Sequence, residues 1–135
     1  MVRRLPKLNV EGSSLFARST PYKGEVREAV LQSEESGWVR VFEDRPGSSS
    51  APGGKWAMRK QDIQGMTPEQ IRDKYSLGYT PNRVVDVTYK PGMRIREGTA
   101  AEVPSLRTRG GGLQREAMDG RAGIGTPQRL PGSKD

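Results

Sequence analysis

The sequence contains no cysteine and no histidine. The first absence excludes a disulfide framework, a thiolate metal site and a cysteine nucleophile; the second removes the usual general base and the commonest metal ligand. Catalysis would have to run on Arg, Lys, Gln, Glu, Asp, Tyr, Thr or Ser. Aromatic residues make up 6% and hydrophobic residues 32% of 135 positions, which is enough apolar surface for one small core and excludes a large multidomain enzyme. No apolar run approaches the roughly 18 residues of a membrane span, and Met-Val-Arg-Arg-Leu-Pro at the start lacks a hydrophobic signal core. The chain is therefore expected to be soluble, with no membrane partner and no Sec signal of its own.

Glycine and proline are plentiful. Seventeen Gly and ten Pro exceed the roughly 12% average for the two together, so long loops are expected around a modest ordered centre. The net charge is +7 and the isoelectric point near 10.1, which points towards a polyanionic partner. Met1 to Arg18 carries four basic residues against Glu11, so much of the excess sits in one tail. Three parts follow: a flexible basic arm over 1–18, an ordered domain over 19–118, and a polar Gly/Pro-rich tail over 119–135.

Within the domain, Thr20 as N-cap, Pro21 at the first helical position and the spacing of Tyr22, Val26, Ala29 and Val30 predict a helix of about 14 residues, stopped by Gly37. Trp38 to Glu43 is β-branched and aromatic and reads as a strand; Arg45 to Gly54 can only be a loop. Lys55 to Lys60 alternates Trp56 and Met58 with polar neighbours, as a short half-buried strand does. Thr67-Pro68-Glu69-Gln70 is a capping box opening a helix of about ten residues, for which Gly78 is a suitable left-handed cap. Arg83 to Tyr89 and Met93 to Glu97 flank Lys90-Pro91-Gly92-Met93, a type II turn signal, and predict a hairpin-like pair. The fold class expected is α+β, with two helices and a small, mostly antiparallel sheet.

One segment suggests chemistry. Gly110, Gly111 and Gly112 lack side chains that would block approach to their N–H groups; flanked by Arg109 and Arg115, they have the composition of a phosphate cradle, although a bare run of glycines also suits a connector. Gln114, two residues further on, has an amide able to orient a water or hold a carboxamide.

From Gly53 to Glu116 the order is a short aromatic strand, a capped helix, PNRVVDV, KPGMRIREGTA and GGGLQ. This order resembles the C-terminal toxin domains of bacterial polymorphic and contact-dependent toxins, and its closing half is similar to the tuberculosis necrotizing toxin family of NAD glycohydrolases. The resemblance places Gln114 at the glutamine of that family's Gly-Gly-Gly-x-Gln strand and Arg83 at the approximate place of its histidine. It implies an antibacterial toxin effector that hydrolyses NAD(P) as substrate, without a further cofactor. Export would be by a dedicated secretion system, action in a target-cell cytoplasm, and the partner a cognate acidic immunity protein. Gln114 and Arg83 are then the candidate catalytic residues, Arg45 and Arg109 with the three glycines the candidate clamps on the diphosphate, and Trp56 and Tyr89 the candidate ring stackers.

Nicotinamide leaves from an oxocarbenium-like centre once the dinucleotide is held and distorted, so this chemistry needs neither metal nor histidine. A metal-independent ribonuclease acting on tRNA is the alternative enzyme, with Arg94 and Arg96 tracking the RNA backbone. A non-enzymatic binding module derived from the toxin fold is the third reading.

Overall fold

The computed structural model describes residues 2–4, 22–47, 54–118 and 122–133. Among these residues nine strands form one antiparallel sheet: β1 (Val2–Arg4), β2 (Tyr22–Val30), β3 (Glu35–Phe42), β4 (Trp56–Arg59), β5 (Arg83–Tyr89), β6 (Arg94–Ala100), β7 (Leu113–Ala117), β8 (Gly123–Ile124) and β9 (Gln128–Arg129). Their order is β1-β2-β6-β7-β4-β3-β5-β8, with β9 also on β5. Among the described residues there is one α-helix, α1 (Pro68–Tyr75), and two 3-10 turns, Lys60–Asp62 and Pro104–Leu106. The expectation of two helices on a small sheet is thus corrected to a mostly antiparallel sheet with a single helix.

The first expected helix is β2. Its pairing with β6 runs Tyr22↔Ala100 and Lys23↔Thr99 and then resumes at Val26↔Gly98, so the bulge leaves Gly24 and Glu25 out of register. Gly24 has φ +78°, a conformation suited to glycine. The bulge puts buried Tyr22 and Val26 four residues apart, a spacing that mimics a helical face. Gly37, expected to end that helix, lies at φ +85° where β3 shifts register between Glu35 and Trp38.

α1 follows its capping box. Thr67 Oγ1 accepts from Gln70 N at 3.1 Å, and Thr67 N donates to Gln70 Oε1 at 2.9 Å. The left-handed cap falls on Ser76, φ 52°, rather than on Gly78. The Pro91–Gly92 turn forms, with Met93 N donating to Lys90 O at 3.3 Å and Gly92 at φ +90°. It does not close a hairpin, however: β5 pairs with β3, β8 and β9, and β6 with β2 and β7. Leu31, at the β2–β3 corner, docks on that turn, donating to Met93 O at 2.9 Å and accepting from Gly92 N at 2.7 Å.

Strand alternation divides the core between the two faces of the sheet. Val39, Val41 and Met58 pack with Ile63, Ile71, Tyr75 and Leu130 on the face that carries α1. Trp38, Ala57, Val87, Tyr89 and Ile95 pack with Leu31 on the other. β5 and β6 are separated by three strands in the sheet and yet joined by only the four residues 90–93, which requires the sheet to curl. The outer segments also correct expectation: Val2–Arg4 of the basic arm pair with β2, and the presumed tail supplies β8, β9 and the buried Leu130.

Candidate functional site

The glycine run is spent on the fold. Gly110 N donates to Asp73 O at 2.9 Å, Gly111 N to Ala100 O at 2.9 Å and Gly112 N to Lys74 O at 3.0 Å. Two of these acceptors are carbonyls of the last turn of α1, which have no partner within the helix. A Cβ on Gly110 would lie 2.4 Å from Ala100 O, and one on Gly112 2.5 Å from the Tyr75 ring, so glycine is required for β7 to enter beneath the helix. The expected phosphate cradle is therefore corrected: these N–H groups point into the protein. Arg109 is likewise engaged, its backbone N and Nε each 2.8 Å from the Asp73 carboxylate. That hydrogen-bonded guanidinium lowers the Asp73 pKa.

Other sequence-predicted residues lie apart. Arg45 pairs with Glu43 and donates to Thr80 O at 3.1 Å. Arg83 sits 3.8 Å from the Asp44 carboxylate and donates to Asn82 O at 3.0 Å. Both belong to the corner where β3 ends and β5 begins, with β3 and β4 between β5 and the strand of Gln114. Tyr89 is 1% exposed, set edge-on to Trp38 at 6.0 Å between ring centres, and burial pushes its pKa up to about 12. It is a core residue, unable to stack on a ligand.

Trp56 and Gln114 do share one face of the sheet, with a residue for which the sequence suggested no role, Glu116. On β7, Gln114 and Glu116 share one face and Arg115 takes the other. Glu116 is opposite Trp56 on β4 and opposite Arg96 on β6, while Gln114 is opposite Gly98. The Tyr22 ring fills the place of the Cβ that Gly98 lacks, which would be 2.7 Å from Tyr22 Cδ1. From there the Tyr22 hydroxyl donates to Glu116 Oε1 at 2.9 Å. Lys55 Nζ is 3.1 Å from Glu116 Oε2, Arg96 Nη1 3.9 Å from Oε1, and Arg96 Nη2 also holds Glu28 at 3.1 Å. Trp56 completes the group, its ring 5.9 Å from that of Tyr22 and 5.6 Å from Lys55 Nζ.

The result is a carboxylate 6% exposed, an amide two residues away on the same face, two cations, a phenol and a half-buried indole. Burial, reinforced by the charge of Glu116 and the hydrogen bond to it, raises the Tyr22 pKa, so the phenol remains a donor to Glu116 throughout the neutral range. Strand alternation starting from Gln114 was the sequence signal that could have found Glu116; the bulge in β2 hid the part played by Tyr22.

The opposite face of β7 anchors the strand. The Arg115 guanidinium lies 3.8 Å from the Trp38 ring centre and 4.9 Å from that of Tyr89, and bonds Glu35 at 2.8 Å and Glu97 at 3.1 Å. Removing either partner of such a pair would strand a buried charge.

No helix among the described residues is long and apolar enough to cross a membrane. The chain matches no protein-family model, and neither a curated protein nor a solved structure is significantly similar to it.

Proposed function

We propose that the chain is a toxin-effector-like enzyme that hydrolyses NAD(P) to nicotinamide and ADP-ribose (phosphate), and that the reaction runs at Glu116. The observation that carries this reading is the buried Glu116 carboxylate, set between Tyr22, Lys55 and Arg96 on the same face as Gln114 and Trp56. Cleavage breaks the bond between ribose C1′ and the nicotinamide nitrogen; the ring leaves with the electron pair and C1′ becomes oxocarbenium-like. A carboxylate beside that centre stabilises the developing positive charge, and takes the proton of the water that attacks C1′. Lys55 and Arg96 supply positive charge for the diphosphate, Trp56 a surface for a ring, and Gln114 an amide for a ribose hydroxyl or the carboxamide. The resemblance of the ordered motifs to the toxin family supports the same reading, which carries with it the further proposals of a dedicated export route, a target-cell site of action and an acidic immunity partner.

The two cations beside Glu116 favour a second reading, metal-independent cleavage of RNA. There Glu116 would take the 2′-hydroxyl proton while Arg96 and Lys55 stabilise the pentacovalent phosphate. Separate incubation of the purified chain with NAD and with total tRNA, following nicotinamide and RNA fragments, distinguishes them. Nicotinamide release with intact tRNA is the expected result. RNA fragments with intact NAD would transfer the same carboxylate to the nuclease reading, and inertness towards both would leave a binding module.

A further inference from the structure

A concavity lies away from Glu116, on the α1 side of β3 and β5. It has a volume of about 510 Å³, within the range of sites that hold small organic ligands. Val84, Met66 and Pro131 line it with accessible apolar surface, over the buried Val39, Ile63 and Leu130. Two of the lining segments are held turns. Met66 N donates to Ile63 O at 3.1 Å, with Gly65 at φ +77° allowing the reversal; Ser133 N donates to Leu130 O at 3.1 Å, with Gly132 at φ +83°. Leu130 is 3% exposed and its N donates to Asn82 O at 2.9 Å, which fixes the C-terminal turn to the start of β5.

The charged groups lining the concavity are unequal. Lys60 and Arg129 are cationic, and Asp86 is the single acid, 3.6 Å from Lys60. Arg129 is held only by neutral partners among the contacts described, Ser133 Oγ and Ser133 O, each at 3.3 Å. The apolar lining suits an apolar body, and the uncompensated positive charge suits one anionic group on it.

We propose that this groove binds a small amphiphilic anion, with its apolar body on Val84, Met66 and Pro131 and its carboxylate, sulfonate or phosphate towards Lys60 and Arg129. The site is independent of the NAD reading and stands or falls without it.

Two fluorescent dyes serve as probes: anilinonaphthalene sulfonate, an anion, and phenylnaphthylamine, its neutral counterpart. The parent chain is expected to bind one anionic dye with a blue-shifted emission. Val84→Phe fills the groove and abolishes binding of both dyes while melting near the parent temperature. Reversing both exposed cations, Lys60→Glu with Arg129→Glu, weakens the anionic dye about tenfold and leaves the neutral dye within about twofold. The proposal is overturned if the parent binds no anionic dye, if a folded Val84→Phe binds it as before, or if charge reversal leaves the anionic dye unchanged or weakens both dyes equally. Should Val84→Phe fail to fold, the charge-reversed pair decides alone.

Discussion

Glu116 differs from Arg115, its neighbour on β7, in what lies beside it. Arg115 is enclosed by two rings and two carboxylates and has no side left for a ligand, whereas Glu116 faces a half-buried indole and two cations, one of them the 58%-exposed Lys55. Arg83, by contrast, belongs to the Asp44–Asn82 corner. Replacing it with alanine is therefore expected to leave nicotinamide release within about twofold of the parent, since it removes no group near the reacting atoms. A large loss of turnover in Arg83→Ala, with melting unchanged, would return the arginine to the site. At this scale the sequence was legible where it placed a residue in a strand, as with Trp56 on β4 and Gln114 on β7. It misled where a charge is neutralised by a partner distant in the chain, as Arg109 is by Asp73 across 36 positions.

Among the elements, α1 and β7 depend on each other through the glycine run. Gly110 lies at φ +73° with its absent Cβ directed at Ala100 O, so Gly110→Ala combines left-handed strain with a backbone clash. It is expected to cost about 2–5 kcal/mol, read as a drop in melting temperature. Gly111 has open space around it and bears on the same strand, so Gly111→Ala should cost less, with strain at φ +101° but no clash. Equal melting of the two variants would show that the run is merely a connector. α1, β4 and β7 were legible in the sequence because each is specified by its own residues: a capping box, a short alternation, a strand beginning after glycine. β2 was not, because its bulge converts a period of two into a spacing of four. The β5–β6 hairpin was not, because a turn sequence fixes a reversal of the chain and says nothing about which strand edges are already taken.

Over the whole molecule, the curled sheet buries three of the four tyrosines, Tyr22, Tyr75 and Tyr89, and raises the pKa of each, chiefly by burial. A raised pKa contributes stability that is fully present below the unfolded value of about 10 and is lost as pH rises through the folded value. The melting temperature should therefore be insensitive to these groups up to about pH 10 and fall above it, with tyrosinate absorbance from the three rising as the chain unfolds. Tyr89→Phe should flatten that decline; an unchanged decline would show that burial of this phenol is not coupled to alkaline unfolding. The same curled sheet brings Tyr22 from one end of the chain against Glu116 near the other, and the functional claim rests on that meeting. Its most direct test is nicotinamide release from NAD by Glu116→Gln, a substitution that keeps the shape and can still accept from Tyr22. Loss of at least about a hundredfold in turnover, with a melting temperature near the parent's, is the expected result. Turnover at the parent rate in a folded Glu116→Gln would contradict the account.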